Sequence, residues 1–223
     1  MKNLCMFAKG YGIAKENLSK EGNPCILYGE LYTTYKTAIA KDIKSRTQLD
    51  QSDLFHSKAN DVIIPCSGET AIDIATSVCI PYDDILIGGD LTVIRSKLNG
   101  AFLSNQLNGV RRKKIATIAQ GASIVHLHAD ELKKISITYP TSEEQDKIAN
   151  FIACLDERIA VQNKIIGLKK SLIIRFVIEI LLSLLSLVGS IISFNIFPFI
   201  SNLLKLIWTI FKEVKRIWSK KKT

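Results

Sequence analysis

The feature that most constrains this chain is a change of pattern at Pro140. Before it, short apolar runs alternate with Gly, Pro and Asn, which is typical of strands joined by turns. After it, apolar residues recur at alternating spacings of four and three, the heptad period of a helix that packs against another helix. The chain therefore predicts an α+β fold: a mixed domain at 1–140, a helical arm at 141–176 and an apolar helical tail at 177–223.

Short runs within residues 1–140 have the composition of strands. The predicted strands are 25–28, 61–65, 85–87, 91–95 and 123–127, and 136–139 is a further strand that ends at Pro140. Residues 111–119 fit a strand or a helix equally well. Mixed elements of this kind, followed by one long helix, favour the α+β class.

The residues after Pro140 form a helix start signal. Thr141 or Ser142 can accept a backbone N–H as the N-cap, and Glu144 or Gln145 lies three residues further on, as a capping box requires. Pro140 disfavours any earlier start, because the residue before a proline avoids the helical region. The arm is therefore predicted to begin at 141 or 142.

The heptad positions of the arm define a predicted partner-binding seam. Its apolar members are Ile148, Ile152, Leu155, Ile159, Ile166 and Ile173. Gln162 and Lys169 occupy two further seam positions, and polar residues there weaken pairing while they can fix register. Two interpretations remain open: a coiled coil with a second helix, or an amphipathic helix that lies on its own domain.

The tail changes character twice. Residues 180–204 carry no charged side chain over 25 positions, which is long enough for a membrane span, although Pro198 divides the run. From Ile200 onward apolar residues recur at three and four, with basic residues between them and with Trp208 and Trp218. A basic amphipathic helix of this kind suits a membrane surface or a helical partner.

The net charge of +9 is unevenly distributed. Residues 1–90 contain nine Lys or Arg and twelve Asp or Glu, whereas residues 91–129 contain six basic residues and no acidic one. Residues 205–223 contain seven basic residues and one acidic residue. Concentrated positive charge attracts nucleic acid or anionic lipid.

Sequence motifs for catalysis are missing. There is no GxxxxGK[ST] loop, no GxGxxG turn and no GxSxG frame. The five cysteines never form a CxxC pair, which argues against a zinc module or a disulfide scaffold and fits a reducing cytoplasm. His126 and His128 share one face of a predicted strand, but no third metal ligand stands at a sensible spacing. We therefore predict a binding protein without a metal, cofactor or catalytic site of its own.

The region without acidic residues is the best candidate for contact with double-stranded DNA. Arg and Lys neutralise phosphate or contact guanine, and Asn and Gln contact adenine. A second polar and aromatic loop lies at 33–36. The predicted DNA-binding residues are Thr33, Thr34, Tyr35, Lys36, Arg95, Lys97, Asn105, Gln106, Arg111, Arg112, Lys113 and Lys114.

Several stretches resemble the DNA-specificity (S) subunits of type I restriction–modification enzymes. Residues 10–32, with Gly10-Tyr11-Gly12 and Gly29-Glu30-Leu31-Tyr32, resemble the opening of a target-recognition domain. Residues 95–107 and 120–137 resemble its closing part. Residues 140–156, with Glu144-Gln145 and Leu155-Asp156, resemble the junction into the conserved helix of that family. The resemblance extends over about residues 5–176.

The resemblance implies a non-catalytic role. Full-length S subunits carry two target-recognition domains, each of which reads one half of a bipartite site, and two long helices that pair antiparallel and hold methyltransferase (M) subunits. S-adenosylmethionine, ATP and Mg²⁺ are expected only on partner subunits. A chain with one domain and one helix is expected to pair with itself or with a second half-length S chain.

The tail departs from the family pattern, which continues as a polar helix. Three accounts remain open: a truncated or frame-shifted locus, a membrane anchor or hairpin, and a buried coiled-coil extension. The alternative function is a membrane-attached interaction protein with a basic tail. The expected location is cytoplasmic, with membrane association through 177–211 under the second account.

Overall fold

The computed structural model describes residues 1–35, 37–121, 124–191 and 197–219. The chain forms two compact units, Met1–Ala160 and Val161–Thr223. Strands and short helices are mixed along the first unit and are followed by a long helix, so the predicted α+β class is confirmed.

The regular elements follow one another closely along the chain. The strands are β1 (Cys5–Lys9), β2 (Leu18–Ser19), β3 (Asn23–Ile26), β4 (Ser45–Thr47), β5 (Phe55–His56), β6 (Asp61–Pro65), β7 (Ser67–Gly68), β8 (Val78–Ile80), β9 (Leu86–Ile87), β10 (Leu91–Ser96) and β11 (Val125–His126). The helices are α1 (Glu30–Thr33), α2 (Ala71–Ile74), α3 (Gly100–Asn108), α4 (Arg112–Ile118), α5 (Ala129–Lys133), α6 (Ser142–Ile191) and α7 (Phe197–Ser219), with a 3-10 turn at Lys15–Asn17.

Two sheets organise the globular part. Within the described residues, β1, β10, β6 and β8 form one sheet in that order, and every neighbouring pair is antiparallel. The second sheet has the order β2-β4-β3-β9-β5, in which β3 and β9 run parallel and the other pairs are antiparallel. The short strands β7 and β11 form a separate antiparallel pair.

The central strand β6 is buried on both of its faces. Val62 and Ile64 belong to one hydrophobic cluster, together with Leu103 of α3. Ile63, which points to the other side of the pleat, belongs to a second cluster with Ile87 of β9. The first sheet therefore lies between a layer of helices and the second sheet, which explains why β6 reads as a continuous apolar run.

Most of the predicted strands are observed, with shifted ends. The strand at 61–65 has the predicted bounds, and those at 85–87 and 91–95 differ by one residue. The strand at 25–28 ends at Ile26, because Glu30 begins α1. Residues 111–119 contain the helix α4, and the strand at 123–127 is reduced to β11, with residues 122 and 123 outside the described part.

The strand predicted at 136–139 is wrong. These residues have no regular structure and pair with no strand in the described part of the chain. The carbonyl oxygen of Ser136 instead accepts a hydrogen bond from Arg111 Nε (2.8 Å), and Ile135 is buried just before them. The segment is thus an irregular connection held by side chains.

The second unit contains the later part of α6 and the helix α7. Large apolar side chains on α6, such as Leu172, Leu182 and Leu187, are exposed. By length and composition the helix Ser142–Gly189 could cross a membrane, and it is the one such helix in the described residues.

A buried ion pair joins β6 to β10. Asp61 is fully buried, and its carboxylate accepts from Arg95 Nε (2.7 Å) and from a terminal guanidinium nitrogen (2.6 Å). The backbone N–H of Lys58 supplies a third hydrogen bond to the same carboxylate (2.8 Å). The hydrogen bond to Asp61 raises the pKa of Arg95 above its ordinary value, so the guanidinium stays charged.

Replacing Arg95→Met should destabilise the first unit by about 3–5 kcal/mol, because the buried carboxylate of Asp61 loses its partner. Urea unfolding followed by circular dichroism measures the loss. Arg46→Met is the matched control, since Arg46 is exposed and its removal should cost about 0.5 kcal/mol or less. Equal midpoints for the two variants would show that the ion pair contributes nothing to stability.

Candidate nucleic-acid interface

Three lysines of the predicted basic region have exposed side chains. Lys97 follows β10, and Lys113 and Lys114 lie in the first turn of α4. No acidic residue occurs between residues 91 and 129 to neutralise them. Exposed lysines in such a region suit the phosphate backbone of a duplex.

The two neighbouring arginines are bound to the protein itself. Arg111 Nε donates to the Ser136 carbonyl oxygen, and one terminal nitrogen of Arg112 donates to the Ile72 carbonyl oxygen (3.2 Å) and to Thr76 Oγ1 (3.2 Å). Both arginines are half-buried. They cross-link α4 to other segments, so their replacement would disturb the fold as well as the surface charge.

Asn105 and Gln106 are half-buried in α3. Asn105 lines a cavity of about 200 Å³ together with Ile39, Ala149 and Ala153, so it faces the first turns of α6. The structure therefore directs Asn105 toward the protein's own helix. Gln106 accepts a hydrogen bond at its carbonyl oxygen from the backbone N–H of Arg111 (3.1 Å).

The loop predicted at 33–36 is divided between surface and core. Thr33 and Thr34 are exposed, and Thr33 Oγ1 donates to the Gly29 carbonyl oxygen (2.8 Å). Tyr35 is a core residue, and desolvation together with the nearby carboxylate of Glu30 raises its pKa to about 12. Lys36 lies outside the described residues.

Two members of the predicted set are therefore removed from it. Tyr35 is buried against the second sheet, where a duplex cannot reach its ring. Arg95 uses its guanidinium to hold the buried carboxylate of Asp61. Their side chains stabilise the fold, and neither role was predictable without knowing which strands are neighbours.

A cleft of about 350 Å³ brings together polar side chains that the sequence did not group. Its lining includes Lys9 at the end of β1, Asp90 before β10, His126 of β11, and His128 and Lys133 around α5. The strand alternation did place His126 and His128 on one side. The position of Lys9 beside them depends on the pairing of β1 with β10, which no local signal indicated.

The helical arm begins with the predicted capping box. Thr141 Oγ1 and Thr141 N both donate to Glu144 Oε2 (2.8 and 3.1 Å), and Glu144 N donates to Thr141 Oγ1 (3.4 Å). These bonds hold the pKa of Glu144 below its ordinary value. The first helical residue is Ser142.

Gln145 joins the start of α6 to the globular domain. It is buried, its Nε2 donates to the Pro140 carbonyl oxygen (2.9 Å), and its Oε1 accepts from the backbone N–H of Asn99 (3.0 Å). Asn99 is the N-cap of α3, and its side chain also donates to Asp146 Oδ1 (2.8 Å). The junction residues thus connect the first turn of α6 with the first turn of α3.

One face of α6 packs on the domain through small residues. Ala149 lies in a buried cluster with Ala101 and Phe102 of α3, and Ala153 and Ala160 continue the same face. At about 100° per residue, the predicted seam is centred roughly a quarter turn away from this face. The packing on the domain therefore does not use the seam.

The predicted seam is largely exposed within the chain. In the first unit Ile148, Leu155 and Ile159 are 40%, 41% and 58% exposed, and Ile152 is half-buried. In the second unit Ile166 and Ile173 are exposed as well. An apolar strip in this position favours pairing with another helix over packing on the chain's own domain.

A model of the family "Type I restriction modification DNA specificity domain" matches residues 1–169. The chain belongs to this family. The match contains the globular domain, the capping box, Gln145 and the start of the exposed seam, and it supports a specificity subunit of a type I restriction–modification system. Members of the family are generally non-catalytic.

Solved structures of specificity proteins share the fold. The chain is similar to the S subunit of a type I restriction–modification system from M. genitalium, with a TM-score of 0.51 and 20% identity, over 71% of this chain and 38% of that one. It is also similar to a chain from a structure that describes "complex assembly and conformational transition of the type I R-M system". That match has a TM-score of 0.52 and 16% identity, over 71% of this chain and 37% of that one. The chain thus spans less than two fifths of either relative. No curated protein sequence matches it.

Replacing Gln145→Ala should destabilise the first unit by about 1–3 kcal/mol, because the half-buried N–H of Asn99 and carbonyl of Pro140 lose their partner. The measurement is the urea midpoint, followed by circular dichroism. Glu143→Ala removes an exposed ion pair with Lys147 in the same turn and should cost about 0.5 kcal/mol. If the glutamine variant were no less stable than this control, Gln145 would not anchor the helix.

Proposed function

We propose that this chain reads one half-site of a bipartite DNA target for a type I restriction–modification complex, and that α6 pairs with a second helix to complete the reader. The observation that carries the proposal is the geometry of α6. The side of α6 that carries Gln145 and Ala149 is fixed to the domain, while the seam residues of the first unit remain largely exposed. A domain and a partner surface held in fixed relation are what a half-site reader requires.

The second helix is supplied by another specificity chain. The relatives of known structure are more than twice as long as the part that this chain matches, which leaves room in them for a second domain and a second helix. We infer that a second copy of this chain, or a second half-length chain, takes that place. Pairing would bury the seam and give two reading domains in one assembly.

Catalysis and its cofactors belong to other subunits in this proposal. Methyltransferase subunits would dock on the paired helices and bring S-adenosylmethionine, and ATP and Mg²⁺ would be used by partner subunits. The specificity chain contributes sequence recognition and spacing. Type I specificity subunits are generally soluble cytoplasmic DNA-binding proteins, which agrees with this division of labour.

Contact with the DNA backbone is assigned to the exposed lysines. Within the described residues, Lys97, Lys113 and Lys114 are the basic residues of the predicted set whose side chains are exposed. The arginines of that set are hydrogen-bonded to other parts of the protein. Thr33 and Thr34 are exposed polar side chains that could contact bases or phosphates. Base readout by hydrogen-bonding side chains would supply the sequence preference.

Changing Lys97, Lys113 and Lys114 to Gln should weaken duplex binding and reduce the slope of log K against log salt by up to about 3, because each phosphate contact contributes roughly 0.9. Fluorescence anisotropy with a labelled duplex at several salt concentrations measures both quantities. The matched control changes Lys15, Lys20 and Lys58, three exposed lysines of the acidic region, to Gln.

The two triple variants have the same net charge, so a general charge effect would weaken both equally. Loss of binding confined to the first variant supports the assigned surface. Equal affinity and equal salt slope in the first variant and the wild type would place the DNA surface elsewhere. Arg111 and Arg112 are left unchanged in this test, since their loss would also unfold local structure.

Introducing Leu155→Glu and Ile159→Glu together should convert a dimer into a monomer, because two charges would be buried in the paired seam. Analytical ultracentrifugation at micromolar concentration measures the change. Asn150→Glu adds a charge to an exposed position on the opposite side of the same helix and should leave the dimer intact. A wild-type chain that stays monomeric at all concentrations, alone and with a second half-length chain, contradicts the pairing.

A further inference from the structure

The helix α7 has one basic and one apolar side. At about 100° per residue, Lys205, Lys212 and Arg216 cluster near the middle of the polar side. Exposed apolar side chains occupy the other side and its borders. They are Leu204, Leu206, Trp208, Ile210, Phe211 and Val214. Neither the DNA-reading domain nor the seam accounts for this surface.

The charges around α7 identify what it would bind. Residues 205–223 contain seven basic residues and one acidic residue, Glu213, which forms an ion pair with Arg216 (3.0 Å). The Nζ atom of Lys212 lies 5.2 Å from the centre of the Trp208 ring, so cation and aromatic ring stand together at the border of the two sides. A second copy of the same helix would offer no acidic surface to the basic side, whereas an anionic lipid surface would attract that side.

The charges within α7 distinguish a surface helix from a full span. Every 18-residue stretch of α7 contains at least three charged side chains, among them Lys205, Lys212 and Glu213. A helix that crossed the hydrocarbon core would bury such charges, whereas a helix that lies in the interface keeps them in contact with water. Shallow insertion of α7 is therefore favoured.

We propose that α7 attaches the chain to an anionic lipid bilayer by lying in the plane of the interface. Its leucines and aromatic residues enter the boundary of the acyl chains, and Lys205 and Lys212 contact lipid phosphates from the polar side. Lys215 lies at the border, between Leu204 and Trp208, and its long side chain reaches the same phosphates. Tryptophan is enriched at this depth because its ring is apolar and its N–H is polar. Basic amphipathic helices with Trp and Phe on the apolar side bind membranes in this manner.

The chain carries its own reporter for this contact. Its two tryptophans, Trp208 and Trp218, both lie in α7, so intrinsic tryptophan emission reports on this helix alone. We would titrate the full chain with vesicles of phosphatidylcholine, with and without phosphatidylglycerol. The expected result is a blue shift of the emission and co-sedimentation with the anionic vesicles, both weakened by salt.

Changing Lys205, Lys212 and Lys215 to Gln should reduce partitioning onto anionic vesicles roughly 100-fold, since each basic residue near such a surface contributes about fivefold. The variant in which Lys97, Lys113 and Lys114 are Gln is the matched control. It loses the same charge, should bind vesicles as the wild type does, and should bind duplex DNA less well. The two triple variants thus separate failure of the membrane contact from failure of the proposed DNA contact.

Three results would overturn the proposal. One is emission that does not change with anionic vesicles, together with a chain that stays in the supernatant. Another is emission that is already blue-shifted without vesicles and turns red only when the chain dissociates on dilution, which would mean that a second copy covers α7. The third is equal binding by the wild type and the α7 lysine variant, which would reject the electrostatic contact.

Discussion

The side-chain amide of Gln145 fixes the start of α6 on the globular domain. It donates to a carbonyl just before the helix and accepts from the first turn of α3, so both ends of the amide are used. Because the side chain is buried, losing either bond would leave a polar group without water. Ala149 follows one turn later and is small enough to let the helix approach α3 closely. The placement of the exposed seam in the first unit follows from these contacts.

The sequence predicted those features that depend on neighbours along the chain. The capping box at Thr141 and Glu144, the start of α6 and the strand β6 each follow from residues a few positions apart. The predicted division into 1–140, 141–176 and 177–223 rests on local patterns of the same kind. The heptad also indicated which residues of the arm would form an apolar strip, although it could not distinguish an exposed strip from a docked one.

The sequence could not predict features that depend on pairing between distant segments. Tyr35 reads as a loop aromatic until the second sheet covers it, and Arg95 reads as a free cation until β6 places Asp61 beside it. Arg111 likewise reaches a carbonyl 25 residues away. In each case the residue type is one that often contacts DNA. Only the tertiary contacts reveal that the side chain is already buried in, or hydrogen-bonded to, the protein itself.

The ion pair between Asp61 and Arg95 also determines how β6 aligns with β10. Val62, Ile63 and Ile64 are similar in shape and are buried on both faces, so an alignment shifted by one residue would still bury apolar groups. The observed pairing of Val62 with Ile94 brings Asp61 opposite Arg95 as the next pair in the ladder. A shifted ladder would separate the two charges and leave the carboxylate alone in the core. The apolar residues of β6 could exchange places without a large loss of burial. The ion pair is therefore the contact that fixes the register of β6 against β10.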